Sequence, residues 1–155
     1  MEAPDLRAGP PRRWNETLGG VAWLPRLVDK ARAALAGRLG GYLYGQSPMD
    51  RGLLRRLGLS HREFAVIVRD ALDDDAVLRA LLARDAQAFE RARAWAQAEL
   101  PDRHRLFLFL MDFDDGYLGE PWIAFKRASN AVTNAFCAAV KAVYPSNAAE
   151  RAKAE

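Results

Sequence analysis

With a single cysteine among its 155 residues, the chain cannot close an internal disulfide. Cys137 stands beside Phe136 in an apolar stretch, the setting of a buried, inert thiol rather than of a nucleophile. Two histidines, His61 and His104, are too few for a His-rich metal site. No uninterrupted apolar run exceeds the six residues of Leu106 to Met111, far short of a membrane-spanning helix. Isoleucine and threonine are scarce while alanine, leucine and arginine abound, which favours helix over strand. The first twenty residues hold prolines and charges in place of the apolar core of a signal peptide, so a cytoplasmic protein is expected.

Catalytic and cofactor signatures are equally sparse. No P-loop, dinucleotide fingerprint or G-x-S-x-G elbow occurs. His61-Arg62-Glu63 has the H-x-E form of zinc deaminases, but the P-C-x-x-C that must accompany it is missing. Asp112, Asp114, Asp115 and Glu120 suggest calcium. A calcium loop starting at Asp112 would need glycine and glutamate where Tyr117 and Ile123 stand, which leaves only a different kind of cation site. No metal and no cofactor is expected. Acid–base catalysis needs only two carboxylates with separated pKa values, which no motif reports.

What is present is ordinary globular material: half the residues are hydrophobic and 28% are charged, in a length suited to one domain. The net charge of +3 is unevenly placed, with twelve Lys/Arg against seven Asp/Glu in residues 1–70 and eleven against thirteen in residues 71–155. The expected fold is all-α, a single compact domain of five to seven helices with the longest near the C-terminus. Residues 1–14 read as an extended tail, 15–145 as the helical domain and 146–155 as a frayed tail.

Leu24, Leu27, Val28, Ala31, Leu35 and Leu39 recur at three- and four-residue steps, the stripe of an amphipathic helix. Pro25 suits its first turn and Gly37 its C-terminal stop. Gly40 to Gly45 is a short tyrosine-bearing turn. Ser47-Pro48 starts a helix to Leu57 that Gly58 ends, and Ser60 with Glu63 forms a capping box for the next. Asp73, Asp74 and Asp75 open a further helix, where acidic groups complement the helix dipole. Asp85 caps another helix to Leu100, and Pro101 breaks the chain. Residues 104–114 read as either a buried helix or a strand. Pro121 opens a long helix to about Tyr144, with Trp122, Phe125, Ser129, Val132 and Phe136 in a seven-residue repeat. The expected core includes Leu27, Val28, Leu35, Leu54, Leu57, Phe64, Ile67, Leu78, Leu81, Phe125, Val132 and Phe136.

Four ionic groups, Arg26, Asp29, Lys30 and Arg32, lie off the apolar stripe of the first helix, with Asp29 three residues from both arginines. One reading is a solvated charged face with weak ion pairs. The other folds Tyr42, Tyr44, Asp50 and Arg51 back against these charges to make a polar pocket.

The succession Gly19-Gly20, Trp23-Leu24-Pro25-Arg26, Asp29-Lys30-Ala31-Arg32, Leu35-Ala36-Gly37, Tyr42 and Tyr44, Ser47-Pro48-Met49-Asp50 and Leu57-Gly58 resembles a bacterial family. It is the domain-of-unknown-function family numbered 5069. The similarity runs from about residue 11 to 82, so residues 15–82 are family-like and 83–145 diverge. One departure is Gln46-Ser47, where a cysteine is common before Pro-x-Asp. The resemblance implies a shared fold and carries no activity with it.

Three function classes follow. The first is a soluble helical binding or interaction module, with Arg26, Asp29, Lys30, Arg32, Tyr42, Tyr44, Asp50 and Arg51 as its site. The second is an enzyme acting on a small anionic metabolite, held by Arg26, Lys30 and Arg51 with Asp29 or Asp50 as base. The third is a helix-turn-helix-like nucleic-acid binder through residues 50–70, with Arg51, Arg55, Arg56, Arg62 and Arg69 on phosphates. Against the third, a recognition helix from His61 would bring Ala65 and Val66 to the base edges and lacks the Asn or Gln that reads adenine. A small anionic ligand or a protein is therefore the expected partner, without membrane insertion, and nucleic acid is disfavoured.

Overall fold

The apolar stripe that starts at Leu24 becomes the central helix of the molecule. In the structure, a computed structural model describing residues 2–120, 122–128, 130, 131 and 135, helix α1 spans Leu24–Leu35. Ten of its twelve residues are buried, Arg26, Asp29, Lys30 and Arg32 among them. The expected solvated face is therefore absent. Neighbouring segments cover the helix on its polar side too, and its charges meet partners instead of water. Two bonds across left-handed Gly37 close its C-terminus, from Gly37 N to Ala34 O (3.2 Å) and from Arg38 N to Ala33 O (2.7 Å). Leu35 is 50% exposed, contrary to its place in the expected core, because it ends the helix just before this turn.

Before α1 lies an element the sequence reading did not anticipate. Strands β1 (Thr17–Leu18) and β2 (Val21–Ala22) pair antiparallel, Thr17 with Ala22 and Leu18 with Val21. Gly19 and Gly20 both have positive φ, as a tight hairpin turn of matching twist requires. The fold is mostly helical, with this small two-stranded sheet added.

Caps set the next elements where local chemistry places them. In α2 (Pro48–Leu57) the Ser47 hydroxyl accepts from Asp50 N at 3.1 Å, and left-handed Gly58 closes the end. In α3 (His61–Asp70) Ser60 and Glu63 form the reciprocal capping box. Asp73 accepts from Ala76 N at the start of α4 (Asp74–Arg84), and Asp85 from Ala88 N at the start of α5 (Ala86–Ala98). Pro101 does not interrupt the chain outright. It occupies the first turn of a short helix, α6 (Leu100–Arg103), where a missing N–H costs nothing. Of residues 104–114, His104 is a turn after α6 and 105–114 are helix, within α7 (Arg105–Asp115). Residues 122–128 are also helical, which makes eight helical segments among the described residues, against five to seven expected; α6 accounts for the excess. The longest helix with both ends described is α5, of thirteen residues. The long helix expected to reach Tyr144, and with it Val132, Phe136 and Cys137, lies largely outside the described residues.

Two compact units divide the chain, Met1–Met111 and Asp112–Glu155. In the first, α1 packs on α3, α2 on α5, α4 on α5, and the hairpin against α5. Leu27, Val28, Leu54, Leu57, Phe64 and Leu81 are buried as expected, and Ile67 and Leu78 pack partly buried against them. Residues 2–14 do not trail away as a tail: Leu6 is buried and Leu6 N donates to Arg38 O at 2.9 Å. In the second unit the rings of Phe113, Trp122 and Phe125 contact one another, and Lys126 pairs with Asp114. Phe125 is 62% exposed, so it is not the core residue it was expected to be. No helix among the described residues is long and apolar enough to cross a membrane.

The hairpin turn yields a stability test. A Cβ at Gly19 would lie 2.6 Å from Leu78 Cδ1 and 2.8 Å from Phe89 Cζ, on a residue with φ of 59°. Left-handed strain and overpacking together put the cost of Gly19→Ala at about 2–4 kcal/mol. Gly37→Ala carries only the backbone cost, about 1 kcal/mol, since nothing lies within 4 Å of its Cβ position. Urea unfolding of both variants checks the pair; equal losses would show that the hairpin does not press on the α4–α5 core.

Candidate functional site

One carboxylate organises the polar interior. Asp50, in the first turn of α2, is fully buried and accepts from three elements at once. Lys30 Nζ of α1 reaches both carboxylate oxygens at 2.6 Å, the Trp23 indole N–H donates to Oδ1 at 2.8 Å, and Gly45 N donates to Oδ2 at 2.9 Å. Gly45 has φ of 72° and sits so close to His61 that a Cβ would fall 2.4 Å from the His61 Cβ. Only glycine brings this N–H to Asp50.

Trp23 is the one non-glycine residue with positive φ among the described residues, at 70°. Such a conformation costs on the order of 1–3 kcal/mol and persists only where surroundings over-determine it. Here Trp23 N donates to Trp14 O at 2.9 Å, its ring nitrogen is fixed by Asp50, and two cations lie over its indole, Arg26 at 5.3 Å and Lys30 at 5.4 Å from the centroid. Arg26 also lies 5.6 Å from the Tyr42 ring and donates to Arg12 O at 3.2 Å.

A second cluster lies further along α1. Arg12 forks onto Asp29, with Nη2 at 2.8 Å from Oδ1 and Nε at 3.0 Å from Oδ2, and its backbone N donates to Oδ2 at 2.9 Å. The same guanidinium reaches Asp74 at 2.5 Å, and Arg32 Nη1 meets the other Asp74 oxygen at 2.6 Å. Burial works against the Arg12 charge, but hydrogen bonds and charges from Asp29 and Asp74 outweigh it and hold its pKa above the ordinary arginine value. Burial likewise opposes the Asp74 charge, and the hydrogen bonds of Arg12 and Arg32 reverse that effect, leaving its pKa below the usual carboxylate value.

The structure thus brings Arg26, Asp29, Lys30, Arg32 and Asp50 into one interior and sets Tyr42 at its edge. Tyr44 packs beside it and donates to His61 O at 2.6 Å. Burial first, and the Asp50 charge second, push the Tyr44 hydroxyl above its ordinary range, so it remains a donor. Arg51 is exposed. Of the other arginines assigned to phosphates, Arg69 holds Asp70 at 2.8 Å, Arg56 stacks over Trp95, and Arg62 is exposed. Arg12 and Asp74 complete the network and stand outside the site residues expected from the sequence. Arg12 stands in a proline-rich run with no local signal. Asp74 is the middle acid of a triplet in which Asp73 alone makes the cap, and that surplus was the available hint. Among the described residues, no three His, Cys, Asp or Glu side chains gather to hold a metal ion.

The chain belongs to the family described as Domain of unknown function (DUF5069), whose model matches residues 8–105. That span takes in Arg12, both ionic clusters and α1 to α6, and reaches beyond the resemblance noted at residues 11–82. No curated protein matches the chain.

Two stability measurements test the network. Lys30→Met leaves the Asp50 charge buried without its cation, at a cost of about 3–5 kcal/mol. Adding Asp50→Leu to Lys30→Met removes that charge and recovers part of the loss, a coupling readable in a double-mutant cycle. Asp74 supplies a pH signature. Its folded pKa is depressed, so its contribution is fully present above the unfolded value of about 3.9 and is lost as pH falls through the folded value. Asp74→Asn is therefore less stable than the parent at pH 7, and the gap closes on acidification below about pH 4. A gap that stays constant from pH 7 to pH 2 would contradict this assignment.

Proposed function

We propose that this chain is a non-enzymatic, soluble binding or interaction module of the bacterial cytoplasm. Its partner is a small anionic ligand or another protein, and the protein does not insert into a membrane. The cluster Arg26, Asp29, Lys30, Arg32 and Asp50 forms the scaffold of the module, and Tyr42, Tyr44 and Arg51 link that scaffold to the surface. The observation that carries the reading is the state of Asp50. It holds Lys30, an indole N–H and a backbone N–H at 2.6–2.9 Å inside the protein. A general base needs an oxygen open to substrate, and an anion pocket needs a cation not already neutralised. Asp29 is engaged by Arg12 in the same way. The lowered pKa of Asp74 is also opposite to what a general acid working near neutrality requires.

The test is a thermal-shift screen of the purified chain against metabolite acids, nucleotides, peptides and short duplex DNA, followed by mass analysis of each ligand that raises Tm. A ligand at a hundred times its Kd adds roughly 2.7 kcal/mol. Ligands recovered chemically unchanged fit the module. Conversion of any such ligand to a product would replace this reading with the enzymatic one.

A further inference from the structure

A cleft of about 250 Å³ opens on the far side of α2 from Asp50, bounded by Pro48, Met49, Gly52, Arg55, Arg56, Trp95, Glu99, Arg103 and His104. We propose that this cleft is a binding site for a small phosphate monoester, whose dianion is held by Arg55, Arg56 and Arg103. The inference rests on the binding-module reading and names its ligand class and place.

Three arginines face the space and one carboxylate answers them: Glu99 lies 3.7 Å from Arg56 and 3.4 Å from Arg103. Among the described residues Arg55 has no ion-pair partner. The arginines therefore carry a surplus of positive charge around a shared space. Burial, chiefly, lowers the Arg56 pKa from the ordinary arginine value; Glu99 pulls it back up, and Arg55 and Arg103 each push it down to a lesser degree. A bound dianion would balance the excess of three arginines over one carboxylate.

Arg56 is held for the task. Its guanidinium lies 4.5 Å from the centroid of the buried Trp95 indole, and Nη1 donates to Gly52 O at 2.9 Å. A stacked, anchored guanidinium loses little freedom on binding, and its fork matches phosphate geometry. Gly52 stands in mid-helix, where glycine costs about 1 kcal/mol relative to alanine. A Cβ there would sit 3.4 Å from Trp95 and 3.8 Å from Arg56, on the floor of the cleft. The volume suits a phosphate with a short organic tail and is below the roughly 300–1,000 Å³ of sites for drug-sized ligands.

The experiment is isothermal titration of the full chain with inorganic phosphate and with glycerol phosphate, at constant ionic strength set with chloride. Saturable binding of the ester, stronger than that of phosphate alone, is expected. Arg55→Gln and Arg103→Gln, both at exposed side chains, each weaken it about tenfold while leaving Tm of the free protein nearly unchanged. Glu99→Gln removes the competing carboxylate and tightens binding several-fold. This opposite sign separates ligand contact from a structural role, in which all three variants would lose binding together. No saturable response to either probe, or a response unaltered in the arginine variants, overturns the site and leaves the module reading standing. A response confined to duplex DNA also overturns it. Release of inorganic phosphate from the ester, lost in Arg55→Gln, keeps the site and overturns the module reading instead.

Discussion

The Asp50 carboxylate is the point on which the rest of this unit depends. Removing a carboxylate from water is expensive unless charge and hydrogen bonds replace the lost hydration. Three separate segments do so: α1 through Lys30, the turn before it through Trp23, and the turn before α2 through Gly45. Each partner in turn fixes something else. Trp23 is held in a left-handed conformation that starts α1, Gly45 is pressed against His61 at the head of α3, and Lys30 completes the buried polar side of α1. The donors and the acceptor specify one arrangement of three segments, a specificity that apolar packing alone would leave looser.

Helix α2 serves two sides of the molecule. Five residues of helix advance the direction of a side chain by roughly 140°, and six by roughly 240°. Asp50 therefore points inward to α1, and Arg55 and Arg56 point to the other flank, where α5 and Trp95 stand. The Asp50 centre and the cationic cleft thus share one ten-residue helix with acid at its start and arginines at its end. A phosphate in the cleft would bear on an element already anchored from behind.

Local chemistry made the helices legible in the sequence. Ser47-Pro48, the Ser60–Glu63 pair, Asp73 and Asp85 each mark a cap, and each does so through bonds within four residues. What was illegible depended on distance along the chain. The charges of α1 read equally well as a solvated face, because nothing near them announces that Arg12, Asp50 and Asp74 return to cover them. Gly19-Gly20 was legible as part of a family pattern, and its hairpin was overlooked because two-residue strands carry no periodicity. Leu35 matched the stripe but fell beyond the covered part of the helix. The arginines of residues 50–70 suggested a phosphate-reading face, whereas Arg55 and Arg56 turn toward a helix forty residues further on, which no local pattern encodes.

The pairing of Arg12 with Asp74 ties together positions 62 residues apart. A ribosome releases the chain from its N-terminus, so Arg12 emerges long before its acidic partner exists outside the exit tunnel. During that interval α1 can form its backbone bonds, but Arg12 and Arg32 have no Asp74 to meet. Loops of this length close slowly compared with a helical turn, so the Leu6–Arg38 and Arg12–Asp29 contacts can form first and the Arg12–Asp74 pair waits on the start of α4. Arg12 is thus made well before Asp74 and completes its ion pairs only once α4 has begun.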